Sequence, residues 1–313
     1  DLGLITYSTI MPDKKITLHD GTQWPNNYNK AKYWSMPVEE AIQRSLNTVP
    51  AQIMEMLTPQ RSFNFLTNNL HMSTLVKSVR IDGGVHSDID YAPLTLGGLT
   101  YGVKCIEMAA AYQVFGNGGY YNKPYTFYTV EQEKGGIKEV LLQNEPSNLF
   151  ALNEDSAYVM NRLLQRVIES NVATAYGLKI GNFETFGKTG TTNDNKDVYF
   201  AGGTPYYVGA CWFGYDNNKT LNSSQTGYAK SLWKKAMTAL HNGLPHKTFD
   251  KKGNTVEHQY CYETGMLATN GCPKKAVGVY KPEFVPGVCT KHGGGSPTGS
   301  TTGSSTETTT TSS

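Results

Sequence analysis

The sequence of 313 residues has no uninterrupted run of 18 or more apolar residues, so no segment has the composition of a membrane-spanning helix. It also lacks an excess of charge of either sign, because 28 Lys and Arg against 26 Asp and Glu give a formal net charge of +2. This balance predicts no general attraction to nucleic acid or to a membrane surface. The first residues, DLGLITYSTI, lack the basic start and apolar core of a signal peptide.

Cysteine is scarce, with five residues in the chain. Cys105 and Cys211 lie in apolar segments, which predicts buried free thiols. Cys261, Cys272 and Cys289 lie near the C-terminus in a turn-rich segment. Their clustering is the one local indication in the sequence of an oxidising compartment.

The order of the predicted elements indicates an α+β fold, with helices covering an antiparallel sheet. Two strands are predicted over 183–191 and 206–215, and these two strands could pair with each other. Apolar spacing predicts helices over 37–43, 50–57, 59–70, 103–116, 153–169 and 226–242, and a hairpin from 125–130 and 137–142.

Composition divides the chain into three parts. Residues 1–245 have the mixed composition of a folded domain. Residues 246–292 are rich in Lys, Pro, Cys and Gly, which predicts a small appended segment. Residues 293–313 are almost wholly Gly, Ser, Thr and Pro, which predicts a disordered tail.

The stretch FGKTGTT, from residue 186 to 192, places a lysine between two glycines. A phosphate-binding loop would need a glycine at position 182, which is Asn182, and a helix after the lysine, where the sequence is polar and Asn-rich. A strand edge fits better. Gly190 then lets a ligand backbone lie close, while Lys188 attracts a carboxylate that the hydroxyls of Thr189 and Thr191 bind.

The triplet K-T-G occurs with S-x-x-K and an S-x-N-type motif in penicillin-binding proteins and β-lactamases. Ser45-Leu46-Asn47 has the residue types and the order of the second motif, although a Ser/Asn pair alone is also an ordinary helix cap. The one S-x-x-K match, Ser231-Leu232-Trp233-Lys234, follows K-T-G inside a predicted helix. Its order and place indicate a coincidental match.

Further matches are LGGLTYGV at 96–103, EMAAAY at 107–112, NGG at 117–119 and DVYFAGGTP at 197–205. With these motifs, most of 1–243 resembles the transpeptidase domain of class A penicillin-binding proteins of Gram-positive bacteria. The segment from Cys261 to Cys289 resembles an extension of some clostridial members. Many relatives carry a Trp near the start of DVYFAGGTP, where this chain has none.

The resemblance implies the penicillin-binding fold, an antiparallel sheet with helices on both faces. DLGLITYSTI resembles the region just after the family's S-x-x-K motif. We therefore expect the sequence to begin after the helix of the nucleophile, to be incomplete at its N-terminus and not to fold stably alone.

The resemblance also implies a reaction: acyl transfer from a D-Ala-D-Ala stem peptide to an amine of a neighbouring stem, with water as the acceptor in carboxypeptidation. β-Lactams would acylate the same serine. Ser45 would relay protons, Asn47 would bind the substrate amide, and the Thr191 N–H would be an oxyanion donor. The implied catalytic residues are Ser45, Asn47, Lys188 and Thr191, and the implied substrate-binding residues are Thr189, Gly190, Thr191 and Thr192.

The family resemblance implies no metal and no organic cofactor. The implied partners are peptidoglycan stem peptides, the lipid-linked precursor, β-lactam antibiotics and the missing N-terminal portion of the same protein. That portion would carry a glycosyltransferase domain and a transmembrane anchor at the extracytoplasmic face of the membrane.

Several alternatives stay open. Cys261, Cys272 and Cys289 could form a disulfide, could bind zinc with His292 through the Cys289-Thr-Lys-His292 spacing, or could be free thiols. The chain could also belong to a non-catalytic wall-binding protein or to a β-lactamase-like hydrolase. The hydrolase is less favoured, because no clear motif for a deacylating Glu is present.

Overall fold

The structure is a computed structural model that describes residues 1–28, 32–251 and 253–293. The tail predicted for 293–313 lies outside the described residues except for Gly293. No helix in the described part of the chain is both long enough and apolar enough to cross a membrane. The helices are α1 (Val38–Gln43), α2 (Thr48–Leu57), α3 (Pro59–Asn68), α4 (Tyr91–Leu96), α5 (Cys105–Tyr112), α6 (Glu154–Glu169) and α7 (Tyr228–Leu240).

The strands pair antiparallel throughout the described residues, with β11, β12 and β13 in one three-stranded sheet. The short pairs are β1 with β4, β2 with β3, β5 with β6, β7 with β10, β8 with β9, and β14 with β15. The strands are β1 (Ile10–Met11), β2 (Ile16–Thr17), β3 (Gln23–Trp24), β4 (Met36–Pro37), β5 (Val79–Ile81), β6 (Gly84–His86), β7 (Tyr120–Tyr121), β8 (Thr129–Lys134), β9 (Ile137–Gln143), β10 (Leu149–Phe150), β11 (Phe186–Thr191), β12 (Asp197–Gly203), β13 (Val208–Gly214), β14 (Val256–Cys261) and β15 (Lys275–Tyr280).

The strands over 183–191 and 206–215, which the sequence suggested could pair, belong to one sheet but are not neighbours, because β12 lies between β11 and β13. β12 ends in Gly202 and Gly203, and glycine is depleted in strands, so the sequence pattern hides it. The glycine at 202 has a steric reason. A Cβ there would lie 2.3 Å from the carbonyl oxygen of Phe186, so a side chain would push β11 away.

Helices lie on both faces of this sheet, as predicted. On β12, the hydroxyl of Tyr199 donates to the carbonyl of Val103, two residues before α5, over 2.9 Å. The ring of the next residue, Phe200, lies 4.6 Å from the ring of Trp233 in α7. Successive strand residues point to opposite faces, so α5 and α7 cover opposite faces of the sheet.

Helix α6 packs against the edge strand β11. Its buried residues include Ala157, Leu164 and Ile168, which recur at helical spacing, and Val167 beside them. Burying a Leu, Ile or Val side chain stabilises a fold by about 1.5–3 kcal/mol. The apolar stripe of α6 therefore holds in place the strand that carries the K-T-G motif.

The segment after the predicted domain packs onto that domain. Tyr260 and Tyr280 of the β14–β15 hairpin share a buried cluster with Tyr7 and Leu163. The Tyr260 hydroxyl donates to buried Glu39 of α1 over 2.5 Å. Residues 256–280 thus support the helix that leads into the S-x-N motif.

Candidate active site

The S-x-N and K-T-G motifs meet in the structure. Lys188 Nζ donates to Ser45 Oγ over 2.6 Å, although the two residues are 143 positions apart in the chain. The same ammonium donates to the carbonyl oxygen of Thr189 over 3.0 Å. Strand β11 supplies the lysine, and the turn between α1 and α2 supplies the serine.

Ser45 has an unusual backbone conformation, with φ of 53°. At this turn the Ser45 N–H donates to Ile42 O and the Leu46 N–H donates to Ala41 O, which ends α1. A left-handed conformation costs a residue with a side chain about 1–2 kcal/mol. Strain of this kind persists where surrounding contacts hold it, and it is frequent at active sites.

Asn47 is held by the chain segment that precedes α1. Its side-chain amide donates to Asn26 O over 2.8 Å, and its backbone N–H donates to Asn27 Oδ1 over 3.0 Å. The next residue, Thr48, donates its hydroxyl to Asp13 Oδ1 over 2.6 Å. Asn26, Asn27 and Asp13 were not singled out from the sequence, because Asn and Asp are common in any loop.

The threonines at 189, 191 and 192 lie in two places, the end of strand β11 and the turn that follows it. On the strand, Thr189 Oγ1 lies 2.7 Å from Thr174 Oγ1, and Thr191 is exposed next to exposed Gly190. Thr192 lies in the following turn, where its Oγ1 accepts from the Asp197 N–H over 2.8 Å. Thr189 and Thr191 therefore belong to the open edge, and Thr192 belongs to the turn that supports it.

Burial changes the electrostatics of the lysine. Loss of hydration on burial lowers the pKa of Lys188 from 10.5 to about 8. An anion bound nearby would favour the charged form, so a carboxylate and the lysine proton stabilise each other at this site. The site therefore favours a ligand that carries a negative charge.

The S-x-x-K match at Ser231 lies on the other side of the sheet. α7 covers the face of Phe200, whereas Lys188 pairs with Ala201 and shares the opposite face with Tyr199. Lys234 donates to Gly177 O over 2.6 Å, and Ser231 is exposed on the helix. Neither residue reaches Lys188, as expected for a coincidental match.

Of the alternatives for Cys261, Cys272 and Cys289, a disulfide is not found, since each of these three described residues is a free thiol in the structure. Their sulfur atoms and a ring nitrogen of His292 all lie within 4.8 Å of one another. A disulfide joins two sulfurs at about 2.05 Å and excludes a third. Here three thiols and an imidazole converge on one point, which the sequence spacing alone did not decide. Cys105 and Cys211 are free, as predicted, but the prediction that they are buried is wrong, since both are partly exposed.

Comparison with known families agrees with this geometry. Residues 1–238 match the family described as "Penicillin binding protein transpeptidase domain". The match covers well over half of the chain. The chain therefore belongs to the penicillin-binding protein transpeptidase family.

Curated relatives include a Penicillin-binding protein 1A of Clostridium botulinum (strain Langeland), 30% identical over 284 residues, which cover 85% of this chain and 33% of the relative. A Penicillin-binding protein 1A of Clostridium tetani is 33% identical over 221 residues, which cover 65% of this chain and 27% of the relative. The chain thus spans between about a quarter and a third of the length of these curated relatives.

Among solved structures, Penicillin-Binding Protein 1A from Haemophilus influenzae superposes with a TM-score of 0.72 at 20% identity, covering 90% of this chain and 46% of that chain. The penicillin-binding protein PonA1 from Mycobacterium tuberculosis gives a TM-score of 0.64 at 21% identity, covering 80% of this chain and 67% of that chain. These similarities establish the transpeptidase fold.

Proposed function

We propose that this chain supplies the S-x-N and K-T-G parts of a serine-type D-Ala-D-Ala transpeptidase site. The observation that carries the proposal is the 2.6 Å contact between Lys188 Nζ and Ser45 Oγ. The nucleophile is a serine in an S-x-x-K motif that this sequence does not contain in the required place. Peptidoglycan stem peptides are the substrate, and β-lactams acylate the same serine.

The reaction has two acyl transfers. The serine oxygen bonds to the carbonyl carbon of the penultimate D-Ala, the C–N bond to the terminal D-Ala breaks, and the leaving amine takes up the serine proton. An amine of a second stem then attacks the ester and releases the serine, which regains a proton. With water as the acceptor, the same two steps are a carboxypeptidase reaction.

In this proposal, Ser45 passes the proton to the leaving amine. Because Lys188 donates to a lone pair of Ser45 Oγ, the hydroxyl hydrogen of Ser45 is free to donate to another group. The ammonium also stabilises negative charge that develops on this oxygen. Asn47, two residues further along the same turn, binds the amide of the substrate.

The end of β11 binds the terminal carboxylate. The hydroxyls of Thr189 and Thr191 donate to it, and Lys188 supplies the positive charge. Thr174 supports Thr189 through the 2.7 Å hydroxyl contact. Exposed Gly190 leaves room for the ligand backbone to lie along the strand, and the Thr191 N–H is one donor of the oxyanion hole.

The whole protein acts at the extracytoplasmic face of the membrane. The relatives are Penicillin-binding proteins 1A, and the matched region covers 33% and 27% of their lengths. By this likeness, the protein also carries a glycosyltransferase domain that uses the lipid-linked precursor, and a membrane anchor. Support for this part comes from the relatives and not from the geometry of the described residues.

Labelling of the complete protein with a fluorescent penicillin tests the site. Lys188→Ala and Asn47→Ala are expected to lower the labelling rate by at least about tenfold, since each removes a ligand contact that stabilises the transition state by about 1.4 kcal/mol or more. Matched controls are Lys234→Ala and Asn144→Ala, because these side chains also donate to backbone carbonyls but lie elsewhere.

The outcomes separate the alternatives. Unchanged labelling in both Lys188→Ala and Asn47→Ala would refute the site assignment. No labelling of the wild type would favour the non-catalytic wall-binding protein. A label that is rapidly lost by hydrolysis would favour a β-lactamase-like hydrolase.

A further inference from the structure

A cluster of four metal-binding side chains lies in the C-terminal segment, remote in sequence from the K-T-G motif. Cys261 ends β14, Cys272 precedes β15, and Cys289 and His292 follow β15. The four ligand atoms lie within 4.8 Å of one another, and the three cysteines are buried. None of these four side chains takes part in the hydrogen bonds described for the active site.

Two nitrogen–sulfur distances in the cluster are close to those of a tetrahedral zinc site. His292 Nδ1 lies 3.3 Å from Cys261 Sγ and 3.4 Å from Cys289 Sγ. Zinc binds sulfur at about 2.3 Å and nitrogen at about 2.0–2.1 Å, so tetrahedral geometry puts N and S about 3.6 Å apart. The observed separations are close to this value, whereas a disulfide would need two sulfurs in bonding contact.

The surroundings of the cluster orient its ligands. His292 Nε2 lies 3.1 Å from Glu263 Oε2, so the carboxylate favours a hydrogen on Nε2, and in the neutral imidazole the Nδ1 lone pair then faces the sulfurs. A carboxylate behind a metal-binding histidine is the usual arrangement at zinc sites. The sulfurs also accept hydrogen bonds, from the Thr269 N–H to Cys272 over 3.3 Å and from the Thr264 hydroxyl to Cys289 over 3.4 Å.

Two glycines let the loops come together. A Cβ on Gly271 would lie 1.9 Å from the carbonyl oxygen of His292, so a side chain would displace the histidine. Gly265 has φ of +70°, and a Cβ there would lie 2.3 Å from Ser8 O. The Ser8 hydroxyl donates to Gly265 O over 2.6 Å, which ties the loop after Cys261 to the transpeptidase domain.

We propose that Cys261, Cys272, Cys289 and His292 bind one Zn²⁺ as a closed structural site. Three thiolates and one imidazole are a soft ligand set that selects zinc over calcium or magnesium. On binding, the three thiols lose their protons to solvent and each sulfur forms a bond to the metal. Four protein ligands complete the tetrahedron, so no position is open for catalysis.

The position of the site explains its use. Tyr260 and Tyr262 flank Cys261, and their hydroxyls donate to Glu39 and Glu40 of α1. α1 leads directly into the turn that carries Ser45. A zinc ion that fixes Cys261 therefore fixes the two tyrosines that hold α1, while its existence does not depend on the proposed transpeptidase reaction.

Metal content of the complete protein, purified without chelator, tests the site. We expect one zinc per chain in the wild type and in the matched controls Cys105→Ser and Cys211→Ser, whose thiols lie outside the cluster. Cys289→Ser and His292→Ala are expected to lose at least about nine-tenths of the zinc, because three ligands no longer close the tetrahedron. His292→Cys restores four ligands and is expected to retain the metal.

Replacement of the metal by Co²⁺ in the wild-type protein tests the proposal even if a variant does not fold. Replacement of the metal in the wild type by Co²⁺ should give the intense visible bands of a tetrahedral ion together with thiolate charge-transfer bands. Wild-type protein without zinc and without these cobalt bands would overturn the proposal. So would a cysteine pair of this cluster that is oxidised in the native protein, shown by a mass that rises by two hydrogens on reduction.

Discussion

Replacement of Lys188 by Met should make the fold more stable at neutral pH while removing the proposed carboxylate contact. Burial lowers the lysine pKa from 10.5 to about 8. At about 1.4 kcal/mol per pH unit, the buried charge costs the folded state about 3 kcal/mol. Methionine has a similar length and no charge, so it avoids this cost.

The variant also loses two hydrogen bonds, to Ser45 Oγ and to Thr189 O. At about 1 kcal/mol each, these offset most of the gain. The expected net effect of Lys188→Met at pH 7 is therefore a stabilisation of about 1 kcal/mol. A site that needs a desolvated charge commonly gives up stability for function in this way.

The sign of the pH dependence is the decisive test. Below pH 8 the lysine is charged in both states, and its full cost is present in the wild type. Between about pH 8 and 10.5 the unfolded chain binds more protons than the folded one, so wild-type stability rises with pH. By about pH 10.5 the wild type should exceed Lys188→Met by about 2 kcal/mol.

The assay is urea unfolding of the complete protein, followed at the transition of the transpeptidase domain. Wild type and Lys188→Met are measured at matched pH values from about 7 to 10.5, so that the titration of all other groups cancels in the difference. A difference between the two proteins that stays constant over this range would refute the assignment of a desolvated lysine.

Three further predictions concern the same region. Gly190→Ala should change the free energy of unfolding by no more than about 0.5 kcal/mol, since the added Cβ would meet only Tyr199 Cβ at 3.5 Å, but it should slow penicillin labelling. Gly187→Ala should lower the free energy of unfolding in urea by about 1–3 kcal/mol, because its Cβ would lie 2.9 Å from Ala201 O. Arg166→Met leaves the buried Glu39 carboxylate without its 2.8 Å ion pair and should lower the free energy of unfolding by about 3 kcal/mol. Arg166→Lys keeps the charge and should lower it by less. Equal losses in the two variants would contradict the role of charge. The rate constant for β-lactam acylation should fall as pH rises through about 8, where Lys188 loses its proton. In stopped-flow measurements, Lys188→Arg should show this fall at a higher pH, because arginine keeps its proton. A pH profile that does not shift in the variant would exclude the lysine as the source of the fall.

The elements that sequence patterns predicted best are those with strong local signals. α6 was predicted over 153–169 and is observed at Glu154–Glu169, because its apolar residues repeat at helical spacing over four turns. The sequence pattern does not predict β12 as a strand, because its glycines have a low strand propensity. These glycines are present because β11 lies too close to allow a side chain. A glycine required by a neighbouring strand cannot be told from a turn glycine by sequence alone.

The candidate site shows the same division. Lys188, Gly190 and the S-x-N motif were identified from residue type and order. Thr174, which supports Thr189, gave no signal, since it lies in an irregular turn-rich segment after α6. Glu263 is likewise an ordinary acidic residue in the sequence. Its role in orienting His292 is visible only from the 3.1 Å contact between Glu263 Oε2 and His292 Nε2.

The sequence by itself determined the chemistry available to this protein: a K-T-G strand, an S-x-N turn and three clustered cysteines with a histidine. These features depend on residue type and short spacing, which the chain order preserves. Only the tertiary structure decided that Lys188 reaches Ser45 across 143 residues and that its pKa falls to about 8. It also decided that the cysteines converge with His292 instead of pairing. Desolvation and ligand geometry depend on which distant segments pack together, and no local pattern encodes that packing.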